Sequence, residues 1–403
     1  MQTSPALRFA EYDLPWEGIR IGNVTNLSAG GTPSTLESSY WGGDIPWMNS
    51  GELNLKQVFN VEGRITEYGL NNSSTKWIPS KSVLIGLAGQ GKTRGTAAVN
   101  HIPLCTNQSI AAIYPQDNVF DSMFLFFNID GRYDELRRLS TGEGGRGGLN
   151  LGILKSLMVR LPSLPEQQKV AAFLSAVDTK IQQLQRKKEL LEQYKKGVMQ
   201  KIFSQEIRFK DKDGSDYPDW EEKRLGSYLV KHSEKTDQNN QYPVLTSSRI
   251  GLFFQKDYFA GNEVASKDNT GYNVVPRGYF TYRHMSDDLV FKFNINNLCD
   301  RGIVSTLYPV FTTTNQIDDK FLLLKLNDGD EFKRYALLQK QGGSRTYMYF
   351  NKIEKLAVRL PNIKEQIRIV SFFEVLASKI DSINYQLNES TYFKKGLLQQ
   401  MFV

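Results

Sequence analysis

The sequence predicts an α+β protein: two mixed, strand-rich modules joined by two long helices that form an antiparallel coiled coil, all arranged as an internal pseudo-two-fold repeat. Three observations predict it. The string RLPSLPEQ at 160–167 returns as RLPNIKEQ at 359–366. Each copy is followed by apolar residues at alternating three- and four-residue spacing. The segments between are short apolar runs, such as SVLIGLAG and TNQSIAAIYP, broken by Gly, Asn and Pro.

The repeat sets the organisation. Leu151–Ser204 aligns without a gap on Phe350–Val403, an offset of 199 residues. Val159/Val358, Arg160/Arg359, Pro162/Pro361, Glu166/Glu365, Gln167/Gln366, Phe173/Phe372 and Lys180/Lys379 are identical pairs. The starts correspond too: LRFAEYDLPWEGIRIG (7–22) resembles IRFKDKDGSDYPDWEEKRLG (207–226), pairing Trp16, Arg20 and Gly22 with Trp220, Arg224 and Gly226. The boundaries that follow are module one at 1–162, a central helix at 163–205, module two at 206–361 and a C-terminal helix at 362–403. The interiors share only fragments, such as CTNQSIAAIYP with CDRGIVSTLYP. A common frame around unlike interiors points to two modules doing one kind of job on different targets.

Each repeated string reads as a strand end followed by a helix start. Pro162 and Pro361 hold the preceding residue extended. Ser163-Leu-Pro-Glu166 has the form of a capping box, and Asn362-Ile-Lys-Glu365 places the same cap in the second copy. Pro165 stands in the first turn, where a missing N–H does no harm. The first ladder runs Val170, Leu174, Val177, Ile181, Leu184, Lys188, Leu191, Lys195, Val198, Ile202. The second runs Ile369, Phe373, Leu376, Ile380, Ile383, Leu387, Ser390, Lys394, Leu397, Met401. So sustained a period predicts a coiled-coil seam, on helices of about 38 residues, on the order of 57 Å long. Lys-Lys-Gly near each helix end (195–197 and 394–396) fits either a solvated break or a contact for a partner subunit.

In the modules, 120–140 and 318–340 read as helical, each interrupted at Asp-Gly, and each is followed by a Gly/Arg loop, GEGGRGG or GGSR. Such loops let backbone approach a ligand and put an arginine at the surface. DKDGSD (211–216) reads as an Asx-type turn rather than a calcium loop.

Composition excludes several classes. No run approaches the ~18 apolar residues of a membrane span, and the first residues lack a basic flank followed by an apolar stretch. Two scattered cysteines fit a reducing cytoplasm, and with three scattered histidines they supply no local zinc spacing. The net charge of +7 mildly favours an anionic partner. GLAGQGKT (86–93) satisfies a phosphate-loop pattern, but RGTAAVNHIPLC follows it with no helical period. The pattern needs a helix N-terminus there to face phosphates. A glycine loop carrying Lys92 and Arg94 serves equally well for reaching DNA phosphates or base edges. No amino-methyltransferase tetrapeptide and no Ser/His/Asp or Cys/His set stands out.

The order of these parts, twice over, resembles the specificity subunit of a type I DNA restriction–modification system. The carrying features are Trp-x-x-x-Arg-x-Gly before each module and Leu-Pro-x-x-x-Glu-Gln with a long helix after it. The linker RFKDKDGSDYPDWEEKRLG is similar to that family's inter-module segment, and GGTPS (30–34) and GQGKTRG (89–95) resemble its target-recognition segments. The resemblance covers essentially the whole chain. It implies two target-recognition domains, each reading half of a bipartite double-stranded DNA site, and a non-catalytic chain. The helices would set the unread gap and dock two methyltransferase subunits, with separate restriction motor–nuclease subunits. S-adenosylmethionine, ATP and magnesium are expected on those partners, and no cofactor or metal on this chain. The residues expected at DNA are Gln90, Lys92, Arg94 and Arg146 in module one, and Arg249, Lys267, Arg283 and Arg345 in module two. A helical scaffold carrying two ligand-binding domains, with no nucleic-acid role, is the alternative.

Overall fold

The computed structural model describes residues 4–89, 93–140, 148–260, 267–340 and 344–403. They form two compact units. One comprises Met1–Arg186 with Ile383–Val403, the other Lys187–Ser382. Each unit therefore holds one module, the near half of one long helix and the far half of the other. The long helices are Leu164–Phe203 and Ile363–Gln400. None of the twenty ladder positions is exposed. No helix among the described residues is long and apolar enough to cross a membrane.

In the first unit the central sheet runs in the order Leu27–Ala29, Ile110–Ile113, Val83–Gly86, Ala97–Asn100, Gln57–Val58. Its three middle strands are buried on both faces. Alternation sorts them: Val83, Ile85, Ala97, Val99, Ala111 and Ile113 enter one core, and Leu84, Ala98, Ile110 and Ala112 a second. A strand buried on both sides needs apolar residues along its length, which VLIG, IAAI and the first three residues of AAVN supply, while buried Asn100 donates to the carbonyls of Pro79 and Ile102. The first core also takes Val170, Ala171 and Leu174 of the central helix with Leu397 and Met401 of the C-terminal helix. Lys394 reaches Asp178 at 2.7 Å. These pairings run antiparallel, as the ladders predict.

The second unit is built on a four-stranded sheet in the order Leu229–His232, Val310–Thr313, Phe280–Tyr282, Phe293–Ile295. Its core is aromatic: Phe280 stacks on Phe311 at 4.8 Å, and Tyr282 lies 4.5 Å from Phe293. Met199 and Ile202 join Ile369, Val370, Phe373 and Leu376 beneath it. Lys325, almost fully buried, ion-pairs with Glu331 at 2.8 Å and sits about 5 Å over the rings of Phe203 and Trp220. Burial pushes its ammonium below the usual lysine range.

The repeated frame closes on itself in both units. The opening strand Glu17–Arg20 pairs antiparallel with the closing strand Met158–Leu161. Glu221–Arg224 pairs likewise with Ala357–Leu360. The repeated glycine has a steric cause, since a Cβ on Gly22 would stand 2.7 Å from Lys155 Cβ and one on Gly226 3.0 Å from Glu354 O. Lys155 and Glu354 occupy the same repeat position.

The capping-box expectation is corrected. In the second copy Asn362 Oδ1 does accept from Glu365 N at 2.9 Å, but neither glutamate turns back to its own cap. Glu166 is buried and accepts from Arg8 Nε (2.7 Å), Arg8 Nη2 (2.8 Å) and Trp16 Nε1 (3.2 Å). Glu365 accepts from Arg208 Nη2 (2.9 Å), Arg208 Nε (3.3 Å) and Trp220 Nε1 (3.1 Å). A buried carboxylate gains more from a guanidinium than from one backbone amide. The neighbouring glutamine completes the joint. Gln167 accepts from Asp121 N and donates to Pro162 O, and Gln366 does the same with Asp318 N and Pro361 O. Asp121 and Asp318 in turn cap the helices Ser122–Gly131 and Asp319–Asp328. Both helices run unbroken through Lys-Lys-Gly, which removes the solvated-break reading.

Candidate nucleic-acid interface

In module one, GLAGQGKT does not lead into a helix. It joins Val83–Gly86 to Ala97–Asn100, which pair antiparallel. The described residues that follow, 93–96, are not helical, so no helix N-terminus stands after the glycines to face a nucleotide. Gln90 and Lys92 lie outside the described residues, as does Arg146. Arg94 is half-buried, its Nη1 3.4 Å from Ser140 Oγ at the end of the helix Tyr133–Leu139. GGTPS is packed rather than loose, because a Cβ on Gly30 would meet Thr106 O at 2.2 Å and one on Gly31 would meet Ser74 at 2.5 Å. Nearby, Trp47 donates to Gly31 O at 3.0 Å and lies edge-on to Trp41 at 5.0 Å. Exposed Phe59 stacks on His101 at 4.2 Å.

In module two three of the four expected residues gather. Arg249 and Ile250 form the tip of the hairpin Leu245–Ser248/Gly251–Phe254. Arg249 and Arg283 line a cavity of about 420 Å³ with Lys292, Tyr258, Phe291 and Tyr308. Arg345 immediately precedes the short strand Thr346–Tyr347, which pairs with Met285–Ser286 beside the cavity. Lys267 is exposed, its carbonyl accepting from Asn239 Nδ2 at 3.0 Å, and it does not line the cavity.

Two acids beside these arginines were not visible in the sequence. Asp288 takes Arg249 in a fork, Nη1 to Oδ2 at 2.8 Å and Nη2 to Oδ1 at 2.7 Å. Its Oδ1 also accepts from Ser286 Oγ (2.9 Å) and Val290 N (3.2 Å). The Arg249 guanidinium first, and these two donors after it, lower the Asp288 carboxyl to about 2. Asp287 Oδ1 accepts from Arg345 Nε at 3.0 Å. No composition or spacing signal marks either acid; the pairing exists only once the hairpin tip and the 344–347 segment converge on them. Arg8 was legible, since LRF and IRF align in the repeated frame, but its buried partner was not.

Among the described residues no group of three His, Cys, Asp or Glu is placed to hold a metal ion. The assembled features are guanidinium and ammonium groups, exposed aromatic rings and hairpin tips, which suit contact with phosphates and base edges.

Residues 14–193 match the type I restriction modification DNA specificity domain. The chain is 30% identical over 274 residues to the type I restriction enzyme MjaIX specificity subunit of Methanocaldococcus jannaschii, covering 63% of this chain and 62% of that one. It is 28% identical over 177 residues to the EcoR124I/EcoR124II specificity subunit of Escherichia coli, covering 43% of each. In both pairs the aligned part is less than two thirds of the relative's length. Among solved structures, the type I restriction–modification S subunit of M. genitalium superposes with a TM-score of 0.57 at 15% identity, over 99% of both chains. That likeness concerns the fold.

Proposed function

We propose that the chain belongs to the family of type I restriction–modification specificity subunits, to which it is similar, and that it is the non-catalytic, DNA-reading subunit of such a complex. Each module reads one half of a bipartite duplex sequence. The helix pair sets the number of unread base pairs and docks two methyltransferase subunits. S-adenosylmethionine, ATP and magnesium serve those partners and the restriction motor–nuclease subunits, in the cytoplasm.

The observation that carries the reading is one frame built twice around unlike interiors. The clasp of arginine, tryptophan and glutamate recurs with the same closing strand. Inside it, one unit has an aliphatic five-stranded sheet and the other an aromatic four-stranded one. Loops and hairpin tips on a rigid support are where recognition residues concentrate, and two unlike sets suit a two-part, asymmetric site.

The test assembles the chain with its methyltransferase subunits and maps methylated adenines in a genome with and without it. A bipartite motif that appears only with the chain is the expected result. Duplex binding whose log affinity falls linearly with log salt should accompany it. Methylation that is the same without the chain, or no salt-dependent duplex binding, overturns the proposal. Seven residues inserted within 177–191 should lengthen the gap or abolish binding, and an unchanged motif would remove the helices from the ruler role.

A further inference from the structure

Arginines that face DNA can do two different jobs. A guanidinium free to swing neutralises phosphates, whereas one held in a fixed plane can present a fork of donors to a base edge. The described residues of module two contain both kinds side by side, and their partners distinguish them.

Arg249 is held. Both of its Nη atoms donate to Asp288, one to each carboxylate oxygen. Asp288 is itself fixed without the arginine's help, by Ser286 Oγ and the amide of Val290 in a local turn. A guanidinium carries five N–H donors. With two of them on Asp288, three remain, including Nε–H, enough for a planar acceptor pair such as guanine O6 and N7. Arg345 is tethered from the other side by a single bond, its Nε donating to Asp287 Oδ1 at 3.0 Å, which leaves its two Nη groups to present outward. Asp287 and Arg345 flank the paired residues Ser286 and Thr346, so strand register sets their meeting. Two consecutive acids thus hold two arginines from chain segments almost a hundred residues apart.

Arg283 and Lys292 line the same cavity as Arg249 and have no ion pair among the described residues. Negative carboxylates next to Arg249 and Arg345 also disfavour a phosphate there, since like charges repel at close range. Arg283 and Lys292 carry no such barrier.

We infer that Asp287 and Asp288 are positioning residues that set Arg345 and Arg249 to read base edges, while Arg283 and Lys292 hold the DNA backbone. The inference rests on the DNA-reading function proposed above and says which side chains perform each part of it in module two.

The test uses the full chain with its methyltransferase subunits and a duplex library randomised at every position. Binding of each variant to the enriched sequence and to single-base changes of it is measured across salt concentrations. R249A and D288N should each lose about ten-fold or more in discrimination at one base pair, confined to one half-site. D288N removes a charge without changing shape, so its affinity for unrelated duplex should stay equal or rise. R249K keeps the charge but loses the fork. It should lose selectivity like R249A with an unchanged salt slope. R283A and K292A should weaken all sequences alike and reduce the salt slope by about one.

D288N that retains full discrimination, or that weakens matched and unrelated duplexes equally, overturns the positioning role. R283A behaving like R249A overturns the division of labour. A wild-type complex with no sequence preference overturns the DNA-reading function and this inference with it. A selective wild type with a selective D288N overturns this inference alone.

Discussion

The buried clasp makes a strong energetic prediction. Glu166 has 2% of its side chain exposed and Arg8 13%. Glu166→Ala removes two charge-assisted bonds, leaves a mostly buried guanidinium with only the Leu14 carbonyl (2.6 Å) as acceptor, and strands the Trp16 indole N–H. Breaking a buried pair on one side costs about 3–5 kcal/mol, of which the stranded indole N–H contributes about 1–3 kcal/mol. Against a domain stability of about 5–15 kcal/mol that is a large loss. Glu166→Gln keeps one acceptor oxygen for the guanidinium but loses the ion pair and the second acceptor, and should cost less than the alanine change. Urea unfolding of the full chain, followed by tryptophan fluorescence, measures this. Four of the five tryptophans (Trp16, Trp41, Trp47 and Trp77) lie in module one and Trp220 in module two, so the dominant signal reports the first unit. Glu365→Ala provides the matching perturbation in the second. Its cost should be smaller, because Arg208 also reaches Asp219 and the carbonyls of Tyr217 and Pro218 and keeps partners when Glu365 is gone. The decisive measurement is the double-mutant cycle of Arg8→Ala with Glu166→Ala. Coupling of about 1–3 kcal/mol is expected. Strict additivity, or a loss below about 1 kcal/mol for Glu166→Ala, would refute the reasoning.

Two more predictions follow from single residues. Burial holds the His101 imidazole below its ordinary pKa, so the folded state resists its protonation. The stability tied to the neutral ring is complete above the unfolded value of about 6.5 and is lost as pH falls through that value toward the depressed folded one. Unfolding curves at pH 7.5 and pH 5 should converge more closely in His101→Gln than in the native chain, and equal pH dependence in both would refute this. Gly197 and Gly396 lie inside the long helices, where an added Cβ meets nothing within 4 Å. Gly197→Ala and Gly396→Ala should each stabilise the chain alone by about 0.5–1 kcal/mol, read from the denaturation midpoint, and a destabilised variant would show a contact at that position.

The amino-acid sequence by itself determined the frame. Its repeat marked the two modules, their opening and closing strands, and two long helices none of whose ladder residues is exposed. Period and repetition are local, so they survive in one dimension. It also argued against a nucleotide loop at 86–93, since no helical period follows the glycines. What the sequence assigned wrongly was the use of Glu166 and Glu365. Spacing offered a helix cap, and only packing brought Arg8 and Trp16, some 150 residues earlier, to the same carboxylate. The arginines of module two illustrate the same limit. Their residue type marked them as candidates for DNA contact, but an ion-paired cation and an unpaired one look alike in sequence. Tertiary structure alone decided which was which, by bringing Asp287 and Asp288 between a hairpin tip and a distant strand end, because ion pairs depend on distances of a few ångströms that no sequence separation encodes.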